Sequence, residues 1–405
     1  MIRRVTAAML AIIASVGVGF GQTSDSVETS GGTLDVFYSF QNGEVRSESN
    51  TNWDMSFEIT GFASGIHINA QAGCELYISP FTVEEWSSFD STGMSSWEQS
   101  RNGHDSWSEG AFNSNLTSDF DLGWGMYDIN SHAVKGDTVY LLKTRANVWK
   151  KIYIKSLASS KYTIVYSDLD GSNEMEKVID KGDYSDANFA YFDFATDSDL
   201  NREPAKADWD IVFTKYVLPI PAGPQVLYYG VSGVKINKNY ENAQREGVDV
   251  MSDDTSTLVW NTSVSEIGSD WKTFNRTTSV YDIAADNSYF VRTAAGAVWK
   301  IYFTKFEGMG SGTYWFNTKN INGTASLNEI TENVNVIYPN PVSSSFSIQA
   351  ESTISQVQVM DVEGRTMGIW NEAQDAYDMS NLANGTYFIL ISTDKGVSVN
   401  RIQKN

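Results

Sequence analysis

The chain has 405 residues, 41% of them hydrophobic and 13% aromatic, which is enough apolar material for two or three packed domains. Its formal net charge is −21, from 50 acidic residues against 29 basic ones, and this excludes a nucleic-acid partner, whose phosphates are held by clustered Lys and Arg. The single cysteine, Cys74, excludes an internal disulfide, so the domains stand on their cores alone.

In chain order, residues 1–21 read as a signal peptide. Arg3 and Arg4 supply a positive start, Met9 to Val18 an apolar stretch, and Gly19 and Gly21 the small residues before a cut ahead of Gln22. The stretch falls short of the roughly 20 apolar residues that span a bilayer, so no transmembrane segment is expected in the mature chain.

The middle of the chain is duplicated. Trp53-Asp54-Met55-Ser56-Phe57 returns as Trp209-Asp210-Ile211-Val212-Phe213, each after a phenylalanine, Phe40 and Phe194. Tyr127-Asp128-Ile129 returns as Tyr281-Asp282-Ile283, Val148-Trp149-Lys150 as Val298-Trp299-Lys300, and Trp107 matches Trp260. One offset of roughly 150 residues with small loop insertions explains the set. Within each copy the pattern is that of strands. Tyr162, Ile164 and Tyr166 alternate with Thr163, Val165 and Ser167, and Asp170-Gly171 then supplies a hairpin turn before Met175 to Ile179. The same residues, Asp168 to Ser172, hint at a calcium loop, but the glycine is misplaced for one and the turn is the better reading. No stretch of the mature chain holds a helical apolar stripe beyond two turns. The expected fold is all-β: two similar antiparallel domains in tandem, 33–175 and 187–325, and a small C-terminal β-sandwich.

The Trp-Asp-x-x-Phe strands, with their preceding Phe strands and distant Trp-Lys strands, resemble the HmuY-like proteins of Bacteroidetes, exported all-β proteins that bind haem. That resemblance implies a haem or porphyrin ligand, and haem needs an axial His or Met. The three histidines, His67, His104 and His132, all lie in the first copy, and His104 and His132 fall in or beside the irregular segment from Glu84 to Tyr127. Met94, which has a counterpart in Met251, completes the candidate set of His104, His132 and Met94. The opposing reading makes these loop histidines and a core methionine. Trp53 and Phe57, four residues apart on a strand, share a face and read as a core anchor. Trp86, Trp97, Trp107 and Trp124 sit among Ser, Gly, Asn and Asp. They suit a recognition surface for a porphyrin, a glycan or a surface protein, or else pin a long loop onto the core. No nucleophile elbow, zinc-binding His-Glu-x-x-His or phosphate loop occurs, and the expectation is a binding protein without catalysis or a metal site, with adhesion or glycan binding as the alternative function.

Residues 328–337 read as a linker. Beyond it come Tyr338-Pro339-Asn340-Pro341, Asp361-Val362-Glu363-Gly364-Arg365, Leu382-Ala383-Asn384-Gly385-Thr386-Tyr387 and Lys404-Asn405. This ordered set, over residues 336–405, resembles the type A C-terminal sorting domain of the Bacteroidetes type IX secretion system. The motif positions are Pro339, Asn340, Pro341, Gly364, Gly385 and Lys404. The resemblance implies the type IX secretion machinery as a partner, passage across both membranes, release or anchoring at the cell surface, and removal of the 338–405 block.

Overall fold

A computed structural model describes residues 22–114, 116–321, 336–350, 353–361, 365–393 and 396–405. These fall into two compact units, Met1–Gly323 and Thr324–Asn405. The expected signal peptide, residues 328–335 of the expected linker, and Gly364 lie outside the described residues.

The larger unit begins with β1 (Thr23–Glu28), β2 (Leu34–Ser39), β3 (Gly43–Ser49), β4 (Met55–Glu58), β5 (Ile66–Ile68), β6 (Glu75–Thr82) and β7 (Glu98–Ser100). It continues with β8 (Gly125–Asp128), β9 (Ala133–Gly136), β10 (Thr138–Lys143), β11 (Trp149–Ala158), β12 (Lys161–Ser167), β13 (Met175–Asp180), β14 (Phe189–Asp193) and β15 (Ser198–Leu200). The remaining strands are β16 (Ile211–Ala222), β17 (Gln225–Ile236), β18 (Glu241–Arg245), β19 (Lys272–Asn275), β20 (Val280–Ile283), β21 (Ser288–Arg292), β22 (Val298–Phe306) and β23 (Thr313–Asn320). The fold is all-β, as the alternation predicts.

Two sandwiches result. In sandwich I an outer sheet, β13-β12-β11-β10-β6-β7 with β8 and β9 beside β11, covers an inner sheet, β15-β14-β4-β5. One core joins them, with Met55, Phe57, Ile66, Tyr140, Ile154, Tyr162 and Phe192 all buried. In sandwich II the outer sheet β1-β23-β22-β21-β18 covers the inner sheet β17-β16-β2-β3 around Val36, Tyr38, Ile211, Phe213, Ile301 and Phe316. Each fully buried side chain of this size contributes about 1.5–3 kcal/mol. The turn reading of Asp168 to Ser172 agrees with the geometry: Gly171 takes φ +85°, and Asp168 pairs with Lys150 at 2.6 Å and accepts from Asn173 at 2.6 Å.

The two repeats exchange strands. β2, from the first repeat, pairs with β16 of the second (Tyr38 opposite Ile211), while β14, from the second, pairs with β4 of the first (Phe192 opposite Met55). β1 likewise joins β23, and β13 joins β12. The segments 33–175 and 187–325 are thus units of sequence, whereas the units of packing are 55–200 and 23–49 plus 211–320. Each exchange is fastened by the Asp of Trp-Asp-x-x-Phe. Asp54 accepts from the Phe194 amide at 3.0 Å, and Asp210 accepts from the Phe40 amide at 2.7 Å. Two asparagines repeat the device: Asn69 Nδ2 donates to the carbonyls of Asn50 (2.8 Å) and Trp53 (2.9 Å), and Asn237 Nδ2 to those of Lys206 (2.7 Å) and Trp209 (2.7 Å).

The tryptophans of the motif leave the face on which spacing puts them. Trp209 packs with Phe37 and Val212, away from the core of Ile211 and Phe213, and meets the Phe37 ring edge-on at 5.1 Å. Trp53 meets Tyr191 in the same way at 5.0 Å. Regular alternation begins only at Met55 and Ile211, so counting back through the aspartate to the tryptophan loses the parity.

The smaller unit is also a sandwich. β24 (Val336–Tyr338), β25 (Ser345–Gln349) and β28 (Tyr377–Asp378) form one sheet, and β26 (Ile354–Met360), β27 (Thr366–Trp370), β29 (Gly385–Thr393) and β30 (Gly396–Lys404) form the other. Phe346, Val357, Val359, Tyr377, Ile389 and Ile391 make its core.

Candidate functional site

The inner sheets of the two sandwiches turn their second faces toward each other. Charged and amide groups lock them together: Arg202, 2% exposed, donates to Asp35 at 3.0 Å and to the Ser49 carbonyl at 2.5 Å, and Asn188 donates to Asn237 at 2.8 Å. Lys238 of the second sandwich pairs with the buried Glu58 of the first. Between these locks lies a cleft of about 720 Å³.

The segment from Arg101 to Asn113 walls the cleft and bridges the sandwiches. Asn102 binds the edge of β5, donating to the Ile68 carbonyl at 2.7 Å and accepting from the Ile68 amide at 3.1 Å. Trp107 Nε1 reaches across to the Ile236 carbonyl at 2.9 Å, and the Asp105 carboxylate accepts from Ser265 at 2.7 Å and Ser263 at 3.0 Å. Gly110 permits the close approach, since a Cβ there would come 2.0 Å from the Ile66 carbonyl oxygen. On the far wall, β16 and β17 extend as a hairpin arm, and the Arg101 guanidinium lies 3.8 Å over the ring of Tyr228 on that arm.

The floor carries Trp53, His67, Phe189, Tyr191, Tyr216 and Lys235. His67 and Lys235 hold equivalent places, one in Ile66-His67-Ile68-Asn69 on β5 and the other in Val234-Lys235-Ile236-Asn237 on β17. His67 Nε2 lies 2.8 Å from the Trp107 carbonyl, and because a carbonyl only accepts, this nitrogen carries the proton. Burial lowers the His67 pKa to about 4, the Trp107 hydrogen bond opposing, so the ring is neutral at neutral pH. Burial lowers that of Lys235 to about 8, with Asp105 opposing.

The candidate ligands of haem are not brought together. His104 stands at the cleft, one-third exposed, with Nε2 3.2 Å from Asp105. His132 is exposed at a second cavity of about 840 Å³ in sandwich I, with Phe62, Phe120 and Lys181, and its Nδ1 lies 2.9 Å from the Tyr127 hydroxyl. Met94 packs with Phe89, Val139 and Leu141 beside Trp86 and Trp97, and Met251 is exposed, accepting from the Tyr302 hydroxyl at 3.7 Å. The tryptophan-rich segment divides in the same way. Trp124 is fully buried in the core, Trp86 and Trp97 pin the loop, and Trp107 serves the cleft. Sequence reasoning missed Lys235 as a site residue; the signal was the shared β-branched/basic/Ile-Asn run at positions 66–69 and 234–237.

In the smaller unit the described motif residues gather around one strand. Asn340 accepts from the Gln403 amide at 2.9 Å and donates to the Arg401 carbonyl at 3.1 Å, while Lys404, 5% exposed, donates to the Ser343 carbonyl at 2.6 Å. Pro339 and Pro341 flank Asn340, and Gly385 lies opposite Lys404 in the ladder. Pro-Asn-Pro is therefore a clamp on β30.

No protein with a curated description matches the chain. A solved structure of PorZ, an essential bacterial surface component of the type-IX secretion system of Porphyromonas gingivalis, is 10% identical, covering 76% of this chain and 50% of its own, with a TM-score of 0.16. The chain spans about half the length of that protein, and a superposition at this level supports no argument about fold or function. No helix among the described residues is long and apolar enough to cross a membrane. Residues 336–405 match the family described as the secretion system C-terminal sorting domain, and that domain marks the chain as type IX cargo, secreted or displayed at the cell surface.

Proposed function

We propose that this protein is an exported, non-enzymatic binding protein whose ligand occupies the cleft between the two sandwiches. The observation that carries this reading is a broken equivalence. Trp209 is buried to 2% exposure, while its counterpart Trp53 is left half-buried at the cleft. An aromatic wall left open where its counterpart is packed shut suits a ligand face. Removal of residues 1–21, and of the sorting domain at the surface, belongs to the same proposal. Intact mass of the surface form tests it.

Haem or a related porphyrin is the ligand we name first. The resemblance of the paired Trp-Asp-x-x-Phe strands to HmuY-like proteins supports it. In the cleft, a flat ring would lie against Trp53, Trp107 and Tyr191, with His104 available to the iron. The rival is a glycan or a surface-protein partner, favoured by the hairpin arm, where Leu227, Tyr228 and Tyr229 are 56%, 48% and 65% exposed. Haemin titration of the full-length chain separates them. A sharp Soret band, lost in His104→Ala and kept in His132→Ala and Met94→Ala, is the expected result. Loss only in His132→Ala moves the site to the second cavity, and no Soret band in the parent protein ends the porphyrin reading in favour of the rival.

A further inference from the structure

The cleft inverts the charge of the protein. Among its described lining residues Arg101, Lys215 and Lys235 are cationic and Glu109 alone is acidic, in a chain of net charge −21. Lys235 is the most constrained of these. It is 6% exposed, and no group among the described residues accepts a hydrogen bond from its ammonium, Asp105 acting on it only from beyond ion-pair distance. Its company is the ring faces of Trp107 and Tyr216, each 4.8 Å from Nζ.

Ring faces recover part of the lost hydration. An ammonium nevertheless has three donors to satisfy, and burying one without an acceptor costs far more than burying an amide. The equivalent position in sandwich I shows the alternative: His67 is neutral and has its carbonyl acceptor. With its pKa near 8, Lys235 remains mostly charged at neutral pH. The open valence is an ammonium, so the missing partner brings an acceptor and negative charge.

We infer that the cleft takes a small organic anion, whose carboxylate, sulfonate or phosphate accepts from Lys235 Nζ while its ring lies among Trp53, Trp107 and Tyr191. This deepens the cleft reading and rests on it. The ring is that of an aromatic acid or of an acidic sugar, and the test distinguishes the two.

Calorimetric titration of the full-length chain compares naphthalene-2-sulfonate with naphthalene-2-sulfonamide, and 4-nitrophenyl glucuronide with 4-nitrophenyl glucoside. At least one charged member binds about ten-fold or more tighter than its neutral partner, and the pair that does so names the ring. In Lys235→Met that preference within the pair disappears. Lys is replaced there by an apolar side chain of similar length, and an unchanged far-ultraviolet circular dichroism spectrum with a single cooperative unfolding transition confirms the fold. Equal affinities within both pairs overturn the anion inference but leave the cleft as a binding site. A preference that survives in Lys235→Met overturns it too, by placing the charge elsewhere. Failure of all four probes to bind also overturns it, and the haemin titration then judges the cleft reading on its own.

Discussion

Sandwich I and sandwich II keep the same fastenings and differ where they face each other. Asp54 and Asp210, Asn69 and Asn237, Trp53 beside Tyr191 and Trp209 beside Phe37 are matched pairs. The differences are a neutral His67 against a cationic Lys235, an open Trp53 against a closed Trp209, and a β16–β17 hairpin far longer than its counterpart β4–β5. Duplication thus preserved what holds an exchanged strand in place, while the facing surfaces diverged into a site belonging to neither copy alone.

Large expected effects test the fastenings first. Asp54 accepts from the amides of Phe194 and Arg145 and lies 3.7 Å from the Arg145 guanidinium, whereas Asp210 accepts from the Phe40 amide and the Tyr240 hydroxyl. Asp54→Ala strands two buried amides and takes from Arg145 one of its two carboxylates, Asp193 remaining, and costs about 3 kcal/mol, while Asp210→Ala removes neutral donors' acceptor and costs about 1–2 kcal/mol. Denaturant unfolding measures both, and equal losses would show that the Arg145 pair adds nothing. Next come the tryptophans. Trp209→Ala costs about 3–5 kcal/mol, as for a filled core site. Trp53→Ala costs less, about 1–2 kcal/mol, because the side chain is already partly in water. Equal costs would close the cleft that the account leaves open.

The last comparison is of pH dependence. His67 has a folded pKa of about 4 against 6.5 when unfolded, so the unfolded chain binds more protons between these values. Its contribution is full above pH 6.5 and is lost as pH falls toward 4. Lys235, at about 8 against 10.5, works at the other end: stability rises as pH climbs from 8 to 10.5. Thermal unfolding across pH should therefore find the acid limb flattened in His67→Gln and the alkaline limb flattened in Lys235→Met. A swap of these assignments would contradict the matched positions.

Much of the fold was legible in the sequence, because alternation reports which residues face a core. Tyr162, Ile164 and Tyr166 are buried together, and the repeat of Trp-Asp-x-x-Phe does mark equivalent strands. Alternation is silent on which neighbour a strand chooses, and so the exchange of β2 and β14 could not be read. Lys235 was illegible for a related reason. Within Val234-Lys235-Ile236 it reads as the solvent-facing residue of a half-buried strand, and only a second sandwich stacked on that face buries it. The pairing of Asn69 with Asn237 was hidden by the long β16–β17 hairpin, which carries the second asparagine beyond the offset shared by the other repeats.

The central claim is that the ligand lies between the sandwiches. Hydrogen exchange of the full-length chain, with and without saturating haemin, tests it most directly. Slowed exchange is expected in residues 66–69, 101–113 and 211–236 together, on both walls of the cleft. Slowing confined to residues 60–64 and 119–132, around the second cavity, or no change at all, would contradict it.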